Sequence, residues 1–258
     1  MKTKNTIVLL CSDGDSTRAI GNALQKKFGA IKVVMEKPMS RLEMAKKRTK
    51  KIGFIKVTGQ ILFVALIVPL LSRFSRQRFA EIEAANNLAN DWAETDIIEI
   101  DSVNSEKARD VLREIQPDIV VVNGTRIIGK KTLKCINATF INTHAGITPL
   151  YRGVHGAYWA LAEGKPELVG TTVHLVDEGI DTGTIIEQAF FEITEKDNFA
   201  TYPYLHTAAG IPVLLRAVEY CIEGKLEAKV EASDLPSKLR YHPTIWEYLF
   251  YRIRKGVS

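Results

Sequence analysis

The chain has 258 residues, of which 46% are apolar and 25% charged; this is ordinary globular usage, and enough length for one large domain or two small ones. Three cysteines, Cys11, Cys135 and Cys221, lie far apart and in no ligand spacing, which argues against a disulfide scaffold or a zinc site and for a reducing compartment. The net charge of +5 is unevenly placed: residues 37–80 hold eleven Lys or Arg against one acid, Glu43, a segment charge of +10, so the other residues sum to −5.

Residues 7–11, IVLLC, are bounded by the turn residues SDGD. They predict a first strand, because the run is too short for a signal-peptide core. Helical spacing follows over 17–28 and stops at Gly29. Residues 31–35 read as a second strand, 96–100 as a third, and 105–115 as a helix. The continuous run IVVVN at 119–123 suits a strand covered on both faces, and 140–142 is the next. Strand and helix alternate, which predicts a Rossmann-like open, mostly parallel sheet with helices on both faces. Ligands in such sheets sit beyond the carboxyl ends of the strands. A helix is expected over 155–163, capped by Gly164. Two strands, 171–176 and 184–191, flank the acidic loop DEGIDTG, too long for a minimal hairpin turn. A helix over 208–222 ends near Gly224. The tail from 225 is irregular, apart from an amphipathic stretch over 245–253. Residues 1–224 therefore read as one domain with an insertion at 37–80, and 225–258 as an extension packed on it.

The chemistry gathers where a strand meets a loop. Asn142 and His144 are two residues apart at a strand end, so they point the same way. Asp181 sits in the acidic loop. Imidazole titrates near neutrality, a carboxylate would orient it, and an amide can donate to a developing oxyanion. Together they describe acyl transfer without a protein nucleophile, the attacking group coming from a substrate.

The stretches FINTHAGITPLYRG and GTTVHLVDEGIDTG resemble the formyltransferase family that uses N10-formyltetrahydrofolate. That family includes glycinamide ribonucleotide transformylase, methionyl-tRNA formyltransferase and the sugar N-formyltransferases. The resemblance implies catalytic roles for Asn142, His144 and Asp181, with no metal. It implies a folate site at Gly124, Thr125, Arg126, Ile127 and Ile128, closed by Asp177, Glu178 and Gly179. Arg152, Gly153, Ser12 and Gly14 would face the acceptor. This chain has His144-Ala145-Gly146 where the family often has His-Pro-Ser, and Gly14 stands without the rest of a phosphate-binding turn. On this reading neither an added C-terminal barrel nor an N-terminal regulatory domain is expected. The resemblance is therefore nearest to the sugar N-formyltransferases, and it implies a cytoplasmic enzyme acting on a nucleotide-linked amino sugar for a surface polysaccharide. The alternatives are glycinamide ribonucleotide as acceptor, or a non-catalytic dinucleotide-binding or membrane-surface protein. The absence of G-x-G-x-x-G after the first strand disfavours dinucleotide binding.

The insertion 37–80 has no counterpart in that resemblance. Residues 61–68 are wholly apolar, and Pro69 interrupts before Leu70 and Leu71. Eleven such residues are too few to span a bilayer as a helix, which needs roughly 20. The preferred reading is a helix covered by the core or by a second copy in a homo-oligomer, with a solvated basic flank. The other is a peripheral anchor at the inner membrane face, with Lys46, Lys47, Arg48, Lys50, Lys51, Arg73, Arg76 and Arg78 meeting anionic lipid. No aromatic stacking platform accompanies the charges, so nucleic acid is not expected.

Overall fold

Apolar runs that alternate with amphipathic segments are buried from two sides here. The computed structural model describes residues 5–88, 96–227 and 236–258; residues 228–235 of the predicted extension lie outside the described residues. In chain order the elements are β1 (Ile7–Ser12), α1 (Asp15–Phe28), β2 (Lys32–Glu36), α2 (Arg41–Ile52), α3 (Phe54–Phe74), α4 (Arg76–Asn86), β3 (Ile97–Ile100), α5 (Glu106–Ile115), β4 (Ile119–Asn123) and α6 (Lys130–Leu133). They continue as β5 (Thr139–His144), β6 (Tyr151–Gly153), α7 (Gly156–Glu163), β7 (Gly170–Leu175), β8 (Ile185–Phe190), α8 (Tyr202–Ile222), β9 (Lys238–Arg240) and α9 (Ile245–Lys255).

Seven strands form one sheet in the order β3-β2-β1-β4-β5-β7-β8. The first five in that order are parallel, and β7 and β8 add an antiparallel edge. The expected Rossmann-like, mostly parallel α/β fold is thus present. Side chains alternate across each strand. Leu9, Cys11 and Val121 pack under Leu24 of α1 and Leu214 and Val218 of α8. Val8, Leu10 and Val120 pack on the other face under Ala108 and Leu112 of α5. Ser105 caps α5 by accepting from the Ala108 N–H, as its place before an apolar periodic run suggests. Helix α8 starts at Tyr202, earlier than residue 208, because Pro203 in the first turn forfeits only an N–H that has no helical partner.

The insertion forms α2 and α3. Pro69 does not end α3: a π turn over Phe63–Ile67 precedes it, and Val68–Phe74 carries on as helix. The limit of eleven residues read from the sequence therefore falls. Phe54–Phe74 is 21 residues of helix, long and apolar enough by length and composition to cross a membrane. Its inner side is packed nonetheless. Phe63 is buried with its ring centroid 4.7 Å from Phe199 and 5.0 Å from Tyr248 of α9. Truncating such a ring to alanine costs about 3–5 kcal/mol. Tyr158, Trp159 and Tyr202 complete this aromatic cluster. The short strand β9, not foreseen from the sequence, pairs in parallel with β6 in a separate two-stranded sheet.

Candidate active site

The parallel strands β4 and β5 open at their carboxyl ends into a cleft of about 540 Å³. Asn142, His144, Gly153, His174 and Asp181 line it, as do Gly124 to Ile128, Asp177 and Gly179.

His144 ends β5 and is buried. Its Nε2–H donates to the Tyr151 carbonyl at 2.7 Å. Its Nδ1 lies 3.4 Å from Asp181 Oδ2. Both ring nitrogens thus face oxygen acceptors. An imidazolium can donate to both, whereas a neutral ring would set a lone pair against a carboxylate. Asp181 adopts φ 51°, a left-handed conformation that aspartate tolerates better than most residues. The Gly153 N–H fixes its carboxylate, donating to Oδ2 at 2.8 Å. Two residues on, Gly183 has no room for a side chain, because a Cβ would strike the Leu175 carbonyl. That contact accounts for glycine in the Asp-x-Gly pattern.

Asn142 sits opposite His174 across the antiparallel β5–β7 pair. The two side chains meet at 3.1 Å. His174 Nδ1–H donates to the Leu175 carbonyl at 2.8 Å, so Nε2 keeps its lone pair and accepts from the Asn142 amide. Burial holds the His174 pKa below the ordinary histidine value, in keeping with this neutral tautomer. Asn142 is left with a second N–H. Asp181 Oδ1 lies 3.8 Å from His174 Nε2. His174 is therefore part of the cluster, brought there by the β5–β7 register.

The proposed folate segment rests on Glu36, which the sequence did not flag. Its buried carboxylate accepts from the Arg126 N–H at 2.6 Å and the Val103 N–H at 3.1 Å, and it pairs with the Arg126 guanidinium at 3.3 Å. That guanidinium also donates to the Asp101 and Lys37 carbonyls at 2.8 and 3.0 Å. Gly124 adopts φ +69°, which glycine reaches at least cost. Val122, Ile127, Ile128 and Val176 give this end of the cleft apolar walls. Across it, Asp177 accepts from Gly179 N–H and Thr182 Oγ1 at 3.0 and 2.8 Å, folding its loop on itself. Glu178 points outward to an ion pair with Lys130 at 3.2 Å, both exposed.

The remaining candidates are dispersed. Arg152 donates to the Ile180 carbonyl at 3.2 Å and braces the acidic loop. Ser12 ends β1 and Gly14 follows it, both outside the cleft lining, and the Ser12 carbonyl accepts from Thr17 Oγ1 at 2.7 Å. The opposite wall comes from places the sequence did not connect with the site. Arg48 and Lys51 of α2, Gln60 of α3, and Arg240, Tyr241 and His242 all line it. Gln60 Nε2 donates to the His242 carbonyl at 2.7 Å, and Trp159 Nε1 to the Tyr241 carbonyl at 2.9 Å. His242 Nδ1 lies 3.0 Å from His155 Nε2. Burial lowers both pKa values, and His242 falls to about 4. Among the described residues, no group of three or more His, Cys, Asp or Glu is placed to hold a metal ion.

Residues 2–217 match the family described as Formyl transferase. The methionyl-tRNA formyltransferase of Anaeromyxobacter sp. (strain K) is 36% identical over 127 residues, 47% of this chain and 40% of that protein. The chain thus matches well under half the length of that relative. Among solved structures, glycinamide ribonucleotide transformylase 1 from Symbiobacterium toebii superposes with a TM-score of 0.58 at 19% identity, covering 87% of this chain and 90% of that one. The sugar 3N-formyl transferase WlaRD, in the presence of dTDP and 5-N-formyl-THF, gives a TM-score of 0.54 at 14% identity, covering 92% and 70%. At such identities the likeness is one of fold.

Proposed function

The chain belongs to the formyl transferase family, and from that premise we propose that it moves a formyl group from N10-formyltetrahydrofolate to a primary amine, most suitably that of a nucleotide-linked amino sugar. The observation that carries the proposal is the buried His144 paired with the part-buried Asp181 at 3.4 Å, beside Asn142. The folate, when bound, supplies the activated formyl carbon. Its flat ring suits the apolar end of the cleft, between residues 124–128 and the loop 177–183.

As the amine adds to that carbon, negative charge grows on the formyl oxygen. The second N–H of Asn142 is free to donate to it, because His174 holds the first. The imidazolium of His144 adds positive charge nearby. Asp181 fixes the ring and accepts the proton that the amine gives up, through water; on collapse of the adduct the bond from that carbon to N10 would break and the proton would pass to N10, releasing tetrahydrofolate. Residues 1–224, with insertion 37–80, would form the catalytic unit. Residues 225–258 would complete the cleft wall.

The acceptor assignment rests on the basic side of the cleft. Arg48, Lys51 and Arg240 line it, which suits a phosphate-bearing amine. WlaRD acts on a sugar, as its name states. Glycinamide ribonucleotide also carries phosphate and is the second acceptor to try. The methionyl-tRNA formyltransferase relatives supply a third. The test is formyl transfer from N10-formyltetrahydrofolate to a panel of amino-sugar nucleotides, glycinamide ribonucleotide and methionyl-tRNA. Turnover confined to an amino-sugar nucleotide is expected. Turnover of another acceptor alone would replace the assignment, and folate binding without any transfer would overturn catalysis.

A further inference from the structure

The outer side of α3 is unpartnered. Phe54, Ile55, Leu66 and Phe74 are 73%, 74%, 58% and 78% exposed. The exposed surface of α9 continues the apolar character. Trp246 lies directly over Gly59 of α3, where no side chain would fit, and Phe250 and Ile253 are exposed beyond it. Two touching helices therefore present apolar side chains that a chain in water leaves bare at a cost.

Cations stand at both ends of the stripe. Lys46, Lys50 and Lys56 are exposed at the start of α3 or on the preceding helix, and Arg73 and Arg76 at its end. Arg78 does not belong with them. It is held by Asp197 through two hydrogen bonds, at 2.8 and 3.0 Å. The one acid of residues 37–80, Glu43, already pairs with Lys47 at 2.9 Å.

We propose that this face docks on an anionic lipid surface, with the α3 and α9 side chains seated at the headgroup boundary and the lysines and arginines on lipid phosphates. Three observations separate this occupant from others. A bilayer-spanning α3 would have to leave the core, yet Phe63 is fully buried against Phe199 and Tyr248, and Gln60 is bonded to the His242 carbonyl. A second copy meeting this face in a two-fold dimer would bring the same patch against itself. The exposed Lys46, Lys50, Lys56, Arg73 and Arg76 of each copy would then be brought together, and Glu43, the one acid of residues 37–80, is already paired with Lys47. An anionic bilayer supplies both the apolar cover and the opposite charge. The preference for a covered or self-associating helix, drawn from the sequence alone, is thereby reversed.

Flotation with vesicles of phosphatidylcholine alone and of phosphatidylcholine mixed with phosphatidylglycerol tests the proposal on the full chain. Wild-type protein is expected to float with the anionic vesicles at low salt and to be released near 1 M salt, where the Debye length is about 3 Å. Lys46→Glu with Lys50→Glu should lower partitioning by about 30-fold or more, since each cation contributes about 5-fold. Leu66→Glu with Phe74→Glu should abolish flotation. All four positions are exposed, so an unchanged melting temperature keeps the loss assignable to the surface. Wild-type protein that ignores anionic vesicles overturns the proposal. If light scattering also finds a dimer that Leu66→Glu dissociates, the occupant is a second copy. Flotation that is equal on neutral vesicles and indifferent to salt overturns the role given to the cations.

Discussion

Asp181→Asn isolates the charge of the Asp181 carboxylate with little change in shape. Asparagine accepts the φ of 51° found there, and its carbonyl can still receive the Gly153 N–H. What is lost is a negative charge 3.4 Å from His144 Nδ1. At an effective dielectric of about 20, that attraction is ~5 kcal/mol before desolvation offsets part of it. A positioned acid–base group contributes roughly 10²–10⁴ in rate, or about 2.7–5.4 kcal/mol, so the two magnitudes agree. The assay is kcat for formyl transfer, with thermal melting followed in parallel. A fall in kcat of roughly 10²–10⁴ with melting retained is expected, and His144→Ala should match it. A change in kcat under about threefold would refute the charge argument, and so would a loss that tracks a loss of cooperative melting.

Asn142→Ala removes one oxyanion donor and should lower kcat by about 10²–10³; an effect confined to KM would make Asn142 a binding residue only. Gly146→Ala would place a Cβ 2.5 Å from the Tyr151 carbonyl and 2.9 Å from His144 Nε2, so calorimetry should show about 1–3 kcal/mol of lost stability along with reduced kcat, and a variant of wild-type activity would show that the His144–Tyr151 contact is dispensable. His206 is buried, its ring edge-on to Phe191, and burial lowers its pKa to about 3. Below about pH 6.5 the unfolded chain takes up a proton there that the folded chain refuses, so stability is full above that pH and falls toward the folded value by up to about 1.4 kcal/mol per unit; denaturant titrations of His206→Phe should show a shallower acid slope, and an identical slope would place the acid sensitivity elsewhere.

The sheet was legible because its central strands, covered on both faces, read as continuous apolar runs, and because alternate residues of a strand share a side. The run at β4 is buried throughout, and the sequence read it as covered on both faces. Asn142 and His144 were legible for the same reason, since two residues apart on a strand share a side. Asp181 needed the Asp-x-Gly pattern, which survives because Gly183 abuts a carbonyl. The residues that escaped are tied by contacts far apart in sequence. Glu36 supports residues 103 and 126, and nothing near it in the chain announces that duty. Strand β9 is three residues, Lys238–Arg240, too short to show a period. The π turn that lets α3 pass Pro69 is likewise invisible to a count of apolar residues.

The two walls of the cleft differ in how they are held. On the strand side, Asn142, His144, His174 and Asp181 sit on or beside β5 and β7, joined by a register that fixes Asn142 against His174. A shift of one residue there would part Asn142 from His174 and turn strand side chains to the other face, so this wall has little freedom. The facing wall hangs on point contacts: Gln60 to the His242 carbonyl, Trp159 to the Tyr241 carbonyl, and the His155–His242 pair. Arg48 and Lys51 stand on α2, outside the sheet that holds the proposed catalytic residues. The same insertion that supplies those two residues also bears the exposed stripe of α3. The proposed acceptor wall and the proposed docking face thus share α2 and α3, while the residues proposed for formyl transfer stand on or beside β5 and β7.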